Sequence, residues 1–152
     1  MTQIAIFALM LVAGVGVPLM AALNAGLARH VESTFAAVAI LASVALAGSL
    51  VLLATTSERP AWAGLFTTPK AYLLGGLLFV FYIGAITFSA PRIGLGNSVL
   101  MVLLGQLVCA AIIDHFGLFG ALETQISFQR LAGLSLVAVG IVIAQRAKVG
   151  GL

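Results

Sequence analysis

The chain has 152 residues, of which 62% are hydrophobic and 7% are charged, and its formal net charge is +3. Soluble domains are about one quarter charged, so this composition excludes an ordinary soluble globular protein. The few cations lie at the ends of apolar segments, so no nucleic-acid partner is predicted. The lone cysteine, Cys109, excludes an internal disulfide and is expected to be a small unreactive side chain in an apolar run.

Five apolar segments follow one another along the chain. Apolar runs of about 20 residues match the length of a membrane-spanning helix, and a helix satisfies its own backbone polar groups in lipid. None of the segments alternates polar and apolar residues as the strands of a membrane barrel do. The sequence therefore predicts an all-α polytopic membrane protein, with one domain over residues 1–152 and spans at about 4–27, 34–54, 71–89, 96–113 and 131–145.

The first segment contains "GVGVPLMAALNAG", in which Pro18 follows Gly14 by four residues. Proline lacks an amide hydrogen and its ring crowds the carbonyl four residues earlier, so a helix kink at Gly14 and Pro18 is predicted. Such a kink is often only structural. Because irregular helices in membranes line protein or water rather than lipid, the nearby Asn24 is also a candidate for substrate binding.

Aromatic residues mark the middle of the chain. Trp62, in the connection 57–70, is expected to anchor that loop at the water–lipid boundary. The later connection 116–129 is also partly apolar and is expected to lie along the membrane surface. In the third segment, Tyr82 either lines a cavity with its hydroxyl, as a possible substrate contact, or packs in the core.

Polar residues recur in the fourth segment. Ser98, Gln106 and Asp114 belong to a row repeated every four residues, so they share roughly one side of a helix, whereas Asn97 lies nearly opposite Gln106. An unpaired amide in hydrocarbon costs several kcal/mol, so Gln106 is expected to face another helix or a wet cavity. Ser98, Gln106 and Asn97 are therefore candidates for substrate binding, although an interhelical hydrogen bond explains Gln106 equally well.

Asp114 and His115 end the fourth segment. A hydrated cap or loop anchor is one interpretation of Asp114, and a proton-carrying site, which would need a buried carboxyl, is the other. No Asp, Glu, Lys or Arg lies well inside any span, so a buried carboxylate that binds protons is absent unless Asp114 supplies it. With no nucleophile–base pair and no set of metal ligands, the sequence predicts no enzyme activity, no metal site and no cofactor.

Glycines give the fifth segment a thin face. Gly133, Gly140 and Ala147 are spaced by seven residues, which is two helical turns and one face. Small residues let helices approach closely in lipid, so Gly133 and Gly140 are candidates for packing against a second copy. The alternative is that glycine is simply common in membrane helices.

Positive charges flank the five spans almost evenly. The side of the N-terminus carries three cations and the other side carries four: Arg59, Lys70 and Arg130 against Arg29, Arg92, Arg146 and Lys148. Orientation follows the difference in Lys and Arg between the two sides. Either another signal fixes one orientation or the chain inserts both ways, in which case opposed copies can form an antiparallel homodimer with inverted-repeat symmetry.

A double glycine, a Pro-Arg-x-Gly turn, a mid-helix Gly-Gln and an Asp-His-Phe-Gly exit follow one another in "LGGLLFVFYIGAITFSAPRIGLGNSVLMVLLGQLVCAAIIDHFGLFG", before "QRLAGLSLVAVGIVIA". In this pattern the chain resembles the small bacterial YdcZ-like family of the drug/metabolite transporter superfamily. Pro18 and Asn24 fit the family's early Pro…Asn signature, whereas Leu19 stands where a glutamine is frequent. The resemblance implies a half-length, five-helix transporter subunit of the bacterial cytoplasmic membrane, paired with itself or with an oppositely oriented paralogue.

These features predict a secondary transporter that moves a small organic solute by alternating access as an antiparallel dual-topology homodimer. Uncharged polar groups suit a neutral or weakly polar molecule, and aromatic faces suit a lipophilic cation. A passive channel of the same architecture and a membrane scaffold without transport activity are the alternatives.

Overall fold

The computed structural model describes residues 2–57 and 59–146, except for the side chain of Arg146. Its α-helices are α1 (Gln3–His30), α2 (Thr34–Thr55), the short α3 (Gly64–Thr67), α4 (Leu74–Ile93), α5 (Leu95–Phe116) and α6 (Phe128–Arg146). A 3₁₀ turn at Lys70–Leu73 leads into α4, and another at Leu118–Gly120 follows α5. Five of these helices are long and apolar enough to cross a membrane, which confirms the predicted all-α architecture with five spans.

Most helix ends lie a few residues outside the predicted spans, and the largest difference is at the end of α4. The sequence places the end of the third span near residue 89, before Pro91, but α4 continues through Pro91 to Ile93. Pro91 removes only the amide that would bond the carbonyl of Thr87, and its fixed φ is compatible with a helix. A proline in the last turn therefore costs α4 one hydrogen bond without ending it.

Two features complete the end of α4. The guanidinium of Arg92 donates to the carbonyl of Phe88, and its Cζ lies 3.4 Å from the centroid of the Phe88 ring. A cation at this position also complements the negative end of the helix dipole. Gly94 then takes a φ of 87°, which glycine adopts without a steric penalty, and the helix stops.

The described chain divides into two compact units, one that ends at Leu95 and one that begins at Gly96. In the first unit α1, α2 and α4 pack against one another in pairs. Its core consists of Ala21, Ala25, Ala37, Val38, Ile83, Ile86 and Ala90. Alanines from α1 and α2 supply much of this core, and such small side chains let backbones come close together in a membrane. A single domain over the whole chain stays a prediction.

The turn between α1 and α2 consists of residues 31–33. Ser33 caps α2, because its Oγ accepts a hydrogen bond from the amide of Ala36 at 3.2 Å. Glu32 has a φ of 52°, an uncommon conformation for a residue with a side chain. The turn is therefore tight, and α1 and α2 pack against each other.

The second unit contains α5, α6 and the connection between them. Gly117 follows α5 in the left-handed conformation, with a φ of 57°. Hydrogen bonds attach the rest of this connection to the end of α5, and an ion pair joins the end of α5 to the first turn of α6. In the first unit, Trp62 and Phe66 are exposed in the connection 57–70, where an interfacial anchor is predicted.

Candidate functional site

Asn24 lies on the buried face of α1, together with Ala21 and Ala25. Only 2% of its surface is exposed. Its Nδ2 donates a hydrogen bond to Thr87 Oγ1 of α4 at 2.7 Å, and Thr87 is buried as well. The pair joins α1 to α4 in the first unit by a polar contact across 63 residues of sequence.

The other half of the Asn24 amide is unsatisfied. Among the described residues, the buried Oδ1 has no hydrogen-bond partner. Leaving a buried acceptor unpaired costs about 1–3 kcal/mol, and native structures contain few such groups. An unpaired oxygen on a side chain held in place by Thr87 is therefore a candidate ligand-binding group.

A groove of about 350 Å³ is bounded by α1, α2 and α4, and Asn24 contributes to its wall. The rest of the lining is apolar: Met20, Leu23 and Leu27 from α1, Ile40, Leu41, Val44 and Ala45 from α2, and Phe79 from α4. Small-molecule sites have this character, with mostly apolar walls and a few placed polar groups, at volumes of about 300–1,000 Å³.

The predicted kink residues lie on α1 before the groove. Pro18 is half-buried and Gly14 is exposed. The helix runs unbroken from Gln3 to His30 through Pro18. Because Pro18 has no amide hydrogen, the carbonyl of Gly14 lacks its usual partner four residues on, although α1 is not interrupted.

Tyr82 lies on α4 and does not line the groove. Its ring is half-buried, and its buried hydroxyl has no hydrogen-bond partner within the described part of the chain. Within the described part of the first unit, the unpaired buried side-chain polar atoms are Asn24 Oδ1 and the Tyr82 hydroxyl.

The other predicted substrate contacts belong to the second unit. Ser98 is buried, Asn97 is half-buried, and Gln106 is exposed on α5. A mid-span amide that its own chain leaves exposed must find its hydrogen bonds on another molecule or in water, since lipid offers none. The expectation that Gln106 faces inward is thus not met within a single chain.

Asp114 forms an ion pair with Arg130, whose Nη2 lies 2.6 Å from its Oδ2. The carbonyl of Asp114 also accepts a hydrogen bond from the amide of Thr124 at 2.8 Å. Beside it, His115 Nδ1 accepts a hydrogen bond from the amide of Ile126 at 3.3 Å. These contacts attach the connection after α5, and the first turn of α6, to the end of α5, so they favour the loop-anchor interpretation of Asp114 over a proton site.

Gly133 and Gly140 are both exposed on α6. A methyl group added at either position would meet no atom within 4 Å among the residues that the structure describes. This glycine face is therefore open to another molecule. Ala147, the third member of the predicted row, lies outside the described residues, as does Lys148.

Thr87 is the member of the site that the sequence analysis missed. It lies inside an apolar run, and a threonine there resembles many that bond only to their own helix. The one available signal was its spacing, four residues before Pro91, because that spacing leaves the Thr87 carbonyl without its helical donor. Its pairing with Asn24 depends on the packing of two helices distant in sequence.

The model of the family described as "Putative inner membrane exporter, YdcZ" matches residues 5–143. The match therefore includes all five membrane-length helices, although it stops within the last turn of α6. Neither a curated protein nor a solved structure matches the chain.

Proposed function

The chain belongs to the YdcZ family of inner membrane exporters, and from this membership we propose that it is one subunit of a secondary transporter that exports a small organic solute. Its five apolar helices make it a multi-pass protein of the bacterial inner membrane. The working unit is an antiparallel homodimer whose two copies insert in opposite orientations. Transport proceeds by alternating access, and no cofactor takes part.

The observation that carries this proposal is the half-paired Asn24 amide in the groove. A merely structural asparagine would have both halves of its amide paired, whereas Oδ1 has no partner among the described residues. The groove beside it has the size and apolar character of a small-molecule site. Thr87 holds the side chain in place and leaves the oxygen for a solute, which reaches this buried atom when the helices around the groove move apart during transport.

Three further observations support a pair of opposed copies. The cation count differs by only one between the two sides of the membrane, which gives weak orientation control. Gln106 is exposed in mid-span and needs a hydrogen-bond partner outside its chain. Gly133 and Gly140 offer an open face for close helix contact.

Cysteine labelling tests the dual orientation. Single cysteines replace Val31, in the turn between α1 and α2, and Ser57, after α2, in a Cys109→Ala background, because Cys109 is itself exposed. These two positions lie at opposite ends of α2. In intact cells, an impermeant thiol reagent should label each variant in part and reach the remainder only after permeabilisation. Complete labelling of one position and none of the other would disprove dual insertion.

Vesicle flux tests the transport activity. A solute selected because it thermally stabilises the purified protein is loaded into proteoliposomes, and saturable exchange with counterflow is expected. Asn24→Leu should raise the solute concentration for half-maximal exchange by about three- to tenfold, because one hydrogen bond to the solute is lost. Ser49→Ala serves as the control, because the exposed Ser49 hydroxyl donates to the carbonyl of Leu46 in its own helix. Non-saturable flux driven by voltage would identify a channel instead.

A further inference from the structure

We propose that the groove between α1, α2 and α4 selects uncharged, mainly apolar molecules that carry one hydroxyl or N–H group, which donates to Asn24 Oδ1. This inference rests on the proposed function in one respect: the bound molecule is the exported solute. It names the chemistry of the solute, which membership of an exporter family does not supply.

The pairing of the amide decides which group the solute must carry. An asparagine offers donors at Nδ2 and an acceptor at Oδ1. Thr87 Oγ1 accepts a hydrogen bond from one of the two Nδ2 hydrogens at 2.7 Å, and it fixes the plane of the amide because both residues are buried. Oδ1 is the atom of this amide that has no partner among the described residues, so a donor on the solute bonds to a wholly unpaired atom. An ether or a ketone gains only a second bond at Nδ2, which already has one.

The charge of the lining decides against a cation. Among the described residues, Asn24 is the only polar one in the wall of this groove, and none of them contributes a carboxylate. A cation would lose its hydration there without an opposite charge to replace it, which is the larger effect. Phe79 offers a single aromatic face, and one cation–π contact is too weak to offset that loss.

The apolar wall of the groove favours a solute that is apolar over most of its surface. Met20 has a flexible side chain that adapts to different shapes, and the branched residues of α2 provide a dry surface. A lipid acyl chain would also fit such a wall, but it has no donor and would leave Oδ1 unpaired. The vacant acceptor therefore separates a hydroxylated solute from an acyl chain that merely fills the groove.

The test measures binding to purified protein with three probes: 1-naphthol, its methyl ether 1-methoxynaphthalene, and the tetraphenylphosphonium cation. One net hydrogen bond should make naphthol bind about three- to tenfold more tightly than the ether, relative to their ratio in Asn24→Leu. Using that variant as the reference removes the different partition of the probes into detergent. Ser49→Ala should keep the wild-type preference.

Several results would overturn the inference. These are a naphthol-to-ether affinity ratio that is the same in the wild type and in Asn24→Leu, and tighter binding of the cation than of naphthol. If Asn24→Leu fails to fold, Thr87→Val provides a second variant in which the amide is no longer fixed, and the preference should weaken there. Donor-selective binding without saturable flux would reject the transporter and keep this inference. Saturable flux of a solute whose affinity for Asn24→Leu equals its affinity for the wild type would keep the transporter and reject this inference.

Discussion

Replacing Thr87 by valine should destabilise the protein, because it leaves the whole buried amide of Asn24 without partners. Thr87 Oγ1 accepts the only hydrogen bond described for that amide, at 2.7 Å, and both side chains are at most 2% exposed. A buried polar group that loses its partner costs about 1–3 kcal/mol. Interhelical hydrogen bonds in membranes contribute less than this, at about 0.6 kcal/mol on average and about 1.7 kcal/mol at most. We therefore expect Thr87→Val to lower the free energy of unfolding by about 1–2 kcal/mol.

Asn24→Leu should behave differently from Thr87→Val. It removes the unpaired Oδ1 together with the rest of the amide, and the remaining Thr87 hydroxyl can bond to a carbonyl of its own helix. Replacing both members of a pair with apolar groups is often nearly neutral. We therefore expect Asn24→Leu to be neutral or stabilising, and Thr87→Val to cost little once Asn24 is already leucine.

Equilibrium unfolding by SDS in mixed bicelles, followed by circular dichroism, measures all four members of this double-mutant cycle. Thr87→Ser is the matched control, because it keeps the hydroxyl and loses only a methyl group. If Thr87→Val costs the same with Asn24 present as with leucine in its place, the hydrogen bond contributes nothing. The polar contact between α1 and α4 would then be incidental.

Three more predictions concern the second unit. Arg130→Ala should lower the free energy of unfolding by about 0.2–1 kcal/mol, and by less at high salt, because its ion pair with Asp114 is about one-third exposed. A thermal midpoint that shifts neither with the substitution nor with added salt would contradict this. His115→Phe should speed hydrogen exchange at the amide of Ile126 by roughly fivefold, since one acceptor worth about 1 kcal/mol is lost, and unchanged exchange would show that the bond does not form. Gly140→Leu should leave the fold of the single chain intact, since its methyl position is open, yet reduce cross-linking between copies; undiminished cross-linking would remove α6 from the dimer contact.

The sequence alone predicts the helices well and their ends less well. Length and uninterrupted apolarity are enough to identify five spans, because only helices can cross lipid in so few residues. The third apolar run closes near residue 89, but α4 continues through Pro91 to Ile93. It ends at Gly94, where a positive φ stops it, and apolarity alone does not mark this end because the last turn of the helix is no longer part of the apolar run.

The candidate site could be predicted only in part, as Asn24 and Gln106 show. Both are amides within apolar runs, and the sequence gives the same reason for each to seek a partner. Asn24 is buried in its own chain, whereas Gln106 is exposed. This difference depends on how each helix is rotated in its bundle. That rotation follows from packing between distant segments, as does the choice of Thr87 as partner.

The tight turn at residues 31–33 has a consequence for how the protein is made. Only three residues connect α1 to α2, so we expect the two helices to insert into the bilayer together as a helical hairpin. The orientation of one helix then fixes the orientation of the other. Under the proposed dual insertion, the two orientations would therefore differ over this whole hairpin. Because orientation follows the flanking cations, removal of a single one, such as Arg29, would shift the proportion of the two orientations.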